Sequence, residues 1–382
     1  MIGALLRIPG YRLTHALGWP VTRPMNVTIS TTFRCNSRCL TCNVYDRPVD
    51  ELTAAEWEKV FISLGRSVTW FTFSGGEPFL RPDLVEIIES AWRHCRPKVV
   101  NIPTNGTFPD RVVAAAQRLT RSLKGTSLVI NVSLDAIGER NDVIRGMRKD
   151  WQKATETFRR LKELRAENLT VGIHSVISIH NVHDFPAIAD QLMALEPDQY
   201  IAEPAEEREE LQTMNTGITP TPDDFDKAVG HLEKRLLRQR DDGLSALTRA
   251  IRLVYYRFAR ASLHSGEQVI PCYAAIASAH IAATGDVWGC CTRAKSLGNM
   301  RDANFDFDAV WRSQAAREER RSIANRECAC PLANAAYTSI LVNPRSLLAV
   351  GRNLLRRPLR GAAARRLPAV ASGVKNDGDH HS

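Results

Sequence analysis

The stretch Cys35-Asn-Ser-Arg-Cys39-Leu-Thr-Cys42 places three cysteines within a short segment, directly after a β-rich run. Three thiolates on one loop can bind three irons of a cubane cluster and leave the fourth iron open to an outside molecule. A structural zinc site normally uses four protein ligands, and no further Cys or His follows within the loop. The spacing therefore favours a cluster with an open iron, while zinc, or no metal, remains an alternative on spacing alone.

Short β-rich runs alternate with amphipathic helical runs along the first half of the chain. The runs predicted as strands are Asn26–Phe33, Thr69–Ser74, Lys98–Thr104, Ser127–Leu134, Thr170–Ser178 and Gln199–Glu203. The helical runs between them lie near 53–64, 82–94, 110–122, 150–166 and 183–195. Such alternation indicates parallel βαβ units. Because a complete barrel needs eight units, the predicted fold class is α/β, with an open partial (β/α)6 TIM-like barrel that ends near residue 204.

Glycine-rich or polar motifs follow the next three predicted strands. They are Ser74-Gly-Gly-Glu-Pro78, Thr104-Asn105-Gly106 and Ser133-Leu-Asp135. A barrel of parallel strands places its chemistry at the carboxyl ends of those strands. Paired glycines let the backbone approach a ligand closely, although the same pair is also common in a plain strand-to-helix turn. Together with the cysteine loop, these motifs predict one site at this end of the barrel.

The three motifs that carry a family resemblance are the C-x3-C-x2-C of the cysteine loop, the GGEP at Gly75–Pro78 and the SLD at Ser133–Asp135. In this order they resemble the radical S-adenosylmethionine (SAM) enzymes, over residues 24–204. The resemblance implies a [4Fe–4S] cluster whose open iron chelates the amino and carboxylate groups of SAM. One electron, from a donor such as flavodoxin or ferredoxin, then cleaves SAM and yields a 5′-deoxyadenosyl radical that removes a hydrogen from substrate.

The resemblance also assigns cofactor contacts by motif position. Cys35, Cys39 and Cys42 would ligate the cluster. The glycines and glutamate of GGEP would hold the methionyl amino group, and the serine and aspartate of SLD would hold the ribose or carboxylate region. The backbone around Tyr45 would meet adenine, although Thr41 stands where the family usually has a bulky apolar residue. The candidate SAM contacts are Tyr45, Gly75, Gly76, Glu77, Asn105, Ser133 and Asp135.

A second group of cysteines lies near the other end of the chain. Gly285 suits a tight turn between two short strands, which would bring Cys272 and Cys290 together, and Cys328-Ala-Cys330 could complete a four-thiolate site. Cys291 would point the other way on a strand. Buried structural cysteines and zinc are the alternatives to an iron–sulfur cluster here. An odd number of cysteines, nine, disfavours a disulfide framework.

The C-x12-G-x4-C element at Cys272–Cys290 resembles the start of the SPASM or shorter twitch domains of radical SAM enzymes. These carry auxiliary iron–sulfur clusters, and the supply of thiols here limits the domain to one, expected to be [4Fe–4S]. We therefore expect a small α+β auxiliary-cluster domain after the barrel. The short C-x-C spacing leaves the fourth ligand, and with it the role of the cluster, open.

Substrate contacts are expected at the ends of strands five and six and just beyond. The candidate catalytic residues are His174, Glu203 and Arg208, of which a carboxylate such as Glu203 could take a hydroxyl proton. We expect oxidation of a small molecule (a sugar, an alcohol or a lipid-linked compound), with the auxiliary cluster as electron acceptor. The alternatives are a peptide-modifying maturase and a radical epimerase, for which Cys291 is the local candidate hydrogen donor.

The positive charge is concentrated at the chain ends. The net charge is +9, yet residues 1–45 contain five arginines and residues 328–376 seven arginines and a lysine, and neither range contains an acid. This argues against a nucleic-acid-binding face across the fold. Leucines at helical spacing within 345–360 predict a basic amphipathic helix that could contact an anionic membrane, or simply pack on the barrel. We expect a cytoplasmic protein, with contact at the inner membrane surface as an option.

These observations divide the chain into five parts. The expected boundaries are a basic extension at 1–23, the barrel at 24–204, a linker with helices at 205–264, the auxiliary-cluster domain at 265–335 and a basic tail at 336–382.

Overall fold

The computed structural model describes residues 6–47, 50–238 and 243–355. Its strands are β1 (Asn26–Thr32), β2 (Trp70–Gly75), β3 (Val99–Thr104), β4 (Ser127–Ser133), β5 (Leu169–Ile177), β6 (Gln199–Pro204), β7 (Ser278–Ile281), β8 (Asp286–Trp288) and β9 (Ser296–Asn299). Its α-helices are α1 (Ile8–Leu17), α2 (Ala54–Leu64), α3 (Leu84–Cys95), α4 (Pro109–Ser122), α5 (Glu139–Arg145), α6 (Asp150–Glu163), α7 (Phe185–Met193), α8 (Pro222–Arg238), α9 (Gly243–Ser265), α10 (Phe307–Trp311), α11 (Gln314–Ala324), α12 (Ala333–Val342) and α13 (Pro344–Leu355).

The strands form one sheet in the order β6-β5-β4-β3-β2-β1-β7-β8-β9. β1 to β6 are parallel throughout, and each begins and ends within one residue of the predicted run. Because β6 pairs only with β5, the sheet does not close. The predicted open partial (β/α)6 barrel is therefore confirmed.

Successive side chains of each barrel strand alternate between the lumen and the layer of helices. On β4, Leu128, Ile130 and Val132 are fully buried against the surrounding core, whereas Val129 and Asn131 line an internal cavity. Successive side chains of a strand point to opposite faces. The β-rich runs thus supply one apolar face to the helices and a second, largely polar face to the lumen.

The helices on the outside are fixed by local sequence signals as well as by burial. α2 begins after Thr53, whose side chain accepts a hydrogen bond from the Glu56 amide while the Glu56 carboxylate accepts one from the Thr53 amide. Such a capping box satisfies two amides that have no partner within the helix. The buried stripe of Trp57, Val60 and Phe61 follows at three-to-four spacing and covers the aromatic face of β2.

The C-terminal segment continues the barrel sheet. β7 pairs in parallel with the free edge of β1, so that Asn26 lies beside Ser278 and Ile29 beside Ile281. β8 and β9 then extend the sheet as antiparallel strands, and Gly285, at φ +91°, makes the predicted turn between β7 and β8. The expected small α+β unit is present, but it shares a sheet with the barrel because β1 would otherwise expose unpaired backbone groups.

Both basic ends of the described chain are packed on the fold. Tyr11 of α1 is fully buried with Tyr273 and Val342, so part of the expected 1–23 extension belongs to the core. α13 covers α9, with the Asn353 side chain donating to the Ala250 carbonyl. Within the described residues no helix is long and apolar enough to cross a bilayer. Leu359, Arg356, Arg357 and Arg360 of the expected amphipathic helix lie outside the described residues.

Candidate active site

The three cysteines of the loop after β1 line one internal cavity of about 620 Å³ at the carboxyl ends of the barrel strands. Burial raises the pKa of the Cys39 thiol to about 11 and that of Cys42 to about 12, and burial also raises that of Cys35. Such thiols stay protonated at neutral pH unless a metal ion displaces the proton. The cavity therefore offers three convergent sulfur ligands that need a metal to become thiolates.

The loop is held by the motifs that follow β2 and β3. A Cβ atom on Gly75 or Gly76 would overlap the carbonyl oxygen of Thr32 or Arg34 respectively, so these glycines allow the β2 turn to pack on the cysteine loop. The Asn105 side chain donates to Asn36 Oδ1 at 2.8 Å and to Ser37 Oγ at 3.0 Å. Asn105 thus braces the loop, and its amide is largely used within the protein although it also borders the cavity.

Glu77 is buried at the turn that follows the two glycines. Its carboxylate accepts hydrogen bonds from Thr104 Oγ1 at 2.7 Å, the Asn105 amide at 2.7 Å and the Phe79 amide at 3.1 Å. Burial raises its pKa even though these bonds oppose the shift. Most of its acceptor capacity is therefore spent on joining the β2 and β3 ends, while the Gly76 amide donates to the Thr32 carbonyl at 2.7 Å.

The SLD motif does not place both of its polar residues in the cavity. Ser133 lines it, but Asp135 is buried, accepts a hydrogen bond from the Val176 amide at 2.7 Å and pairs with Arg145 at 3.1 Å. Asp135 is therefore not among the residues that line the cavity, and its expected contact with SAM stays a prediction. The cavity is lined instead by Arg145, which sequence reasoning missed because it lies on α5, ten residues beyond the motif.

Arg145 is the buried cation beside the cysteine loop. The charges of Cys39 and Asp135 raise its pKa although burial opposes this. Within the described residues its Nε atom is buried without a hydrogen-bond partner. Its carbonyl accepts a bond from the Arg38 amide at 3.2 Å, and Gly146 allows the close approach because a Cβ there would overlap the Arg38 carbonyl.

Tyr45 does not reach the cavity. Its ring packs against the Arg38 guanidinium at 4.0 Å, and its hydroxyl donates to Asn43 Oδ1 at 3.3 Å. The side chains of Val44 and Thr41 border the cavity instead. The short helical turn after Cys42 directs Val44 inward and the Tyr45 side chain outward, and the expected contact of the backbone around Tyr45 with adenine stays a prediction.

The three candidate catalytic residues meet in the same cavity. His174 Nε2 lies 3.0 Å from Glu203 Oε1. Burial would raise the pKa of Glu203, but His174 and Arg208 hold it below its ordinary value. Arg208 also pairs with Glu206 at 2.8 Å, and burial raises the pKa of Glu206 to about 7 in spite of that pair. The lumen therefore contains one ionised and one easily protonated carboxyl side by side.

The four cysteines of the second group come together behind this cavity. Burial, with a smaller contribution from neighbouring thiols of the group, raises the pKa of Cys272 to about 12 and that of Cys290 to about 11. Burial also raises the pKa of Cys328. The pKa of Cys330 is raised by burial and by the charges of Glu206, Cys272 and Cys290. The predicted convergence of Cys272, Cys290, Cys328 and Cys330 is thus present in the structure, and Cys291 faces the cavity instead.

In the part of the chain that the structure describes, neither cysteine group has the close sulfur spacing of a single zinc site. A tetrahedral zinc with Zn–S bonds near 2.3 Å holds its thiolates about 3.8 Å apart. Among the described residues, neither cysteine group contains three sulfurs that all lie within 4.8 Å of one another. A cubane binds each thiolate at a different iron and so needs the wider spacing.

Comparisons with protein families agree with this architecture. Residues 29–192 match the model of the radical SAM superfamily, and residues 272–331 match that of the SPASM iron–sulfur cluster-binding domain. The chain thus carries a radical SAM domain followed by a SPASM domain. These domains imply a [4Fe–4S] cluster, SAM and an auxiliary iron–sulfur cluster, and the two sets of sulfur ligands fit those groups.

Curated relatives share the barrel but differ in their named activities. The chain is 34% identical over 186 residues to an Fe-coproporphyrin III synthase of Methanosarcina barkeri, covering 47% of this chain and 43% of the relative. It is 29% identical over 181 residues to a PqqA peptide cyclase of Bradyrhizobium diazoefficiens, covering 46% and 45% respectively. The chain therefore spans less than half the length of either relative.

The fold also resembles a solved structure, that of SuiB from Streptococcus suis bound to S-adenosylmethionine. The TM-score is 0.57 at 16% identity, over 78% of this chain and 68% of that one. At this identity the likeness shows the fold alone.

Proposed function

We propose that this chain generates a radical from SAM in the barrel cavity and uses it to oxidise a small polar substrate, with the auxiliary cluster accepting the electron. The observation that carries the proposal is that one cavity is lined both by the loop cysteines and by Cys291, the chain neighbour of Cys290 in the second cysteine group. Cys35, Cys39 and Cys42 line it, and so does Glu206, whose charge acts on Cys330 of the second cysteine group.

Hydrogen-bonding groups in the lumen support a polar substrate. Asn131 donates to Asn101 Oδ1 at 2.8 Å and accepts a bond from Gln199 at 2.9 Å, which makes an amide row across the inner face of the sheet. Gly172 leaves room for it, since a Cβ there would overlap Asn131 Oδ1. Hydroxyl groups of a sugar or other alcohol can both donate to and accept from such amides.

Each cofactor contact follows from a side chain already placed. Cys35, Cys39 and Cys42 would hold the [4Fe–4S] cluster, which supplies the electron that cleaves SAM when both are bound. The Gly75 and Gly76 main chain would hold the methionyl amino group, Arg145 the carboxylate and Ser133 the ribose. A buried guanidinium with an unused N–H suits a carboxylate because charge-assisted hydrogen bonds are stronger than neutral ones.

The paired carboxyls in the lumen suit the proton that an alcohol must lose on oxidation. Removal of a hydrogen atom from an alcohol carbon leaves a carbon radical, which becomes a carbonyl after it loses one proton and one electron. Glu203 is held ionised by His174 and Arg208 and could accept the proton. Glu206, with a pKa of about 7, lies next along the path toward Cys330.

The second cysteine group would take the electron. Four thiols are available, so a cluster bound by Cys272, Cys290, Cys328 and Cys330 would have every iron ligated by protein and no position for substrate. Such a closed cluster can exchange electrons but not bind substrate. An external one-electron donor such as flavodoxin or ferredoxin would reduce the first cluster.

The test uses the full chain, reconstituted with iron and sulfide without oxygen, then mixed with SAM and dithionite. We expect release of 5′-deoxyadenosine, and its absence from a variant with Cys35, Cys39 and Cys42 all changed to serine. A small-molecule extract should increase that release and yield a product two hydrogens lighter than its substrate. Protein that holds a complete [4Fe–4S] cluster yet releases no 5′-deoxyadenosine would rule out the proposal.

A peptide substrate is the second candidate, favoured by the named activity of the relative from B. diazoefficiens, a PqqA peptide cyclase. The same assay separates the two candidates when the extract is divided by size. If only the peptide fraction increases the release of 5′-deoxyadenosine, and the mass of one peptide changes, the substrate is a peptide rather than a small molecule.

Contact with an anionic membrane is a further part of the proposal. α1 exposes Leu13 and Leu17 together with Arg12, and Trp19 follows with 74% of its surface exposed. A helix with apolar and basic residues on its outer face suits a membrane surface, where a lipid-linked substrate would be found.

A further inference from the structure

One cluster of metal-ligand residues lies in the cavity apart from both cysteine groups. Glu210, His280 and Cys291 place a carboxylate oxygen, an imidazole nitrogen and a sulfur all within 4.8 Å of one another, and all three residues are buried. They line the same cavity as the loop cysteines. Among the described residues, no other group of three or more Cys, His, Asp or Glu is that compact.

Backbone contacts build this cluster from the segment around Glu210 and the β7–β8 hairpin region. The Glu210 amide donates to the Cys291 carbonyl at 3.3 Å, and the neighbouring Glu209 amide donates to the Thr292 carbonyl at 3.0 Å. His280 lies on β7, and its ring packs on Trp288 at 4.9 Å. The three ligand atoms are therefore held by sheet and loop hydrogen bonds that exist without a metal, as a preorganised site requires.

Adjacent cysteines serve different sites in this arrangement. Cys290 joins the four-thiol group, whereas Cys291 points into the cavity. Both residues follow the end of β8, and the turn that begins at Cys291 separates the two side chains. Cys291 is thus free to serve a site that none of the other thiols supplies.

The charges near the cluster suit a divalent cation. A carboxylate, a thiolate and a neutral imidazole carry two negative charges, which balance a 2+ ion. The two nearby guanidiniums have other partners, since Arg208 pairs with Glu206 at 2.8 Å and Arg47 donates to the Glu210 main-chain carbonyl at 2.7 Å. Ser30 Oγ lies 2.8 Å from His280 Nε2, the ring nitrogen that also lies 3.4 Å from Glu210 Oε1, so a metal ion bound at Nε2 would replace this hydrogen bond.

We propose that Glu210, His280 and Cys291 bind one zinc ion in the substrate cavity. Zinc accepts oxygen, nitrogen and sulfur ligands, and three protein ligands leave a fourth position for an outside molecule. That position would face the cavity. This proposal rests on the proposed function in one respect: the molecule bound there would be the substrate, through a hydroxyl oxygen.

A hydroxyl on zinc would be easier to deprotonate. Coordination lowers the pKa of a bound oxygen acid, so the ion would lower the cost of the proton loss that alcohol oxidation requires. The proton would pass to a carboxylate of the lumen, while the electron leaves by the auxiliary cluster. Zinc itself would undergo no redox change.

The test measures metal content in the full chain. We expect about one zinc ion per chain in protein reconstituted with iron and supplied with zinc, in addition to its iron. Cys291→Ser, His280→Gln and Glu210→Gln should each lower the zinc content at least about tenfold after exposure to a weak chelator, with iron unchanged. Cys95→Ser, which changes a buried cysteine on α3, is the matched control. Zinc that is absent, or present equally in the Cys291→Ser variant, would overturn the proposal.

Cobalt gives a second measurement that does not depend on activity. Co²⁺ in this site should show a sulfur-to-cobalt charge-transfer band that is lost in Cys291→Ser, and circular dichroism should show that the variant is folded. A band that persists in this variant would assign the cobalt to another cysteine and would also overturn the proposal. Release of 5′-deoxyadenosine is scored separately, so a failure of the radical chemistry and a failure of the zinc site remain distinguishable.

Discussion

Arg145 Nη1 lies 3.1 Å from Asp135 Oδ2 beneath the wall of the cavity, with 12% and 2% of the two side chains exposed. The pair links the end of β4 to the last residue of α5, next to the cysteine loop. Because Asp135 holds the guanidinium in place, the aspartate of the SLD motif acts on the cavity through Arg145.

Arg145→Met should weaken SAM binding by about 10- to 100-fold, since a charge-assisted hydrogen bond contributes roughly 1.5–3 kcal/mol. It should also lower the free energy of unfolding by about 3–5 kcal/mol, because Asp135 would be buried without its partner. Calorimetric titration with SAM and denaturant unfolding measure the two effects. The control is Arg118→Met, which removes an exposed pair with Glu86 and Glu89 and should cost less than about 1 kcal/mol. Unchanged SAM affinity would show that Arg145 has no contact with the cofactor.

Asp150 gives a prediction about pH. Burial raises its pKa from 3.8 to about 6, so the unfolded chain ionises it at a lower pH than the native protein does. Its contribution to stability is therefore fully present below pH 3.8 and is lost as the pH rises through about 6. Relative to Asp150→Asn, the wild type should lose up to about 3 kcal/mol across this range. Denaturant unfolding of both proteins at several pH values checks this, and a constant difference would contradict it.

Gly76→Ala should prevent assembly of the first cluster. The added Cβ would overlap the Arg34 carbonyl and separate the β2 turn from the cysteine loop, at a cost of about 3 kcal/mol or more. Gly351→Ala on α13 is the matched control, because no atom lies within 4 Å of its added Cβ and alanine favours a helix by about 1 kcal/mol. Iron content and thermal unfolding report the outcome. Full iron content in Gly76→Ala would mean that the turn can move without cost.

Serine in place of Cys330 tests whether the auxiliary site is closed. We expect iron to fall from about eight to about four per chain in Cys330→Ser and in Cys272→Ser, whereas Cys291→Ser should keep all of its iron. Iron analysis together with electron paramagnetic resonance distinguishes the two clusters. An intact auxiliary cluster in Cys330→Ser would leave one iron without a protein ligand and would favour substrate binding there over electron transfer.

Vesicle binding tests the exposed face of α1. The full chain should sediment with vesicles of anionic lipid at low salt. Leu13→Glu combined with Leu17→Glu should reduce the bound fraction at least about tenfold, because two apolar side chains are removed and the new carboxylates offset the attraction of the nearby arginines to the lipid. The control is Ile62→Glu, which changes an exposed apolar residue of α2. Equal soluble fractions with and without anionic lipid would end the membrane proposal.

The barrel could be predicted from the sequence because the signals are local. Each parallel strand is a short β-rich run, and the helix that follows it has its own periodicity, so strand boundaries emerge to within one residue. The two cysteine groups can be predicted in the same way, because the spacing of cysteines is a local property of the sequence.

The direction of single side chains at the strand ends could not be predicted in the same way. Whether Asp135 faces the cavity depends on Arg145, which arrives from a helix, and whether Tyr45 does depends on one turn of chain after Cys42. His280 and Cys291 lie 11 residues apart and are joined by the β7–β8 hairpin, whereas Glu210 lies 70 residues before His280 on the barrel side of the β1–β7 pairing. No spacing rule joins residues 70 or more positions apart.

The pairing of β1 with β7 has a consequence for engineering. The strand that leads into the cysteine loop is also the strand on which the C-terminal segment is aligned, residue by residue from Asn26 to Ile29. A chimera that grafts this C-terminal segment onto another barrel must therefore reproduce that alignment. Otherwise the zinc ligands on the C-terminal segment will be displaced relative to the barrel residues that line the cavity. Truncation before β7 would leave the β1 edge free to pair with other chains and promote aggregation.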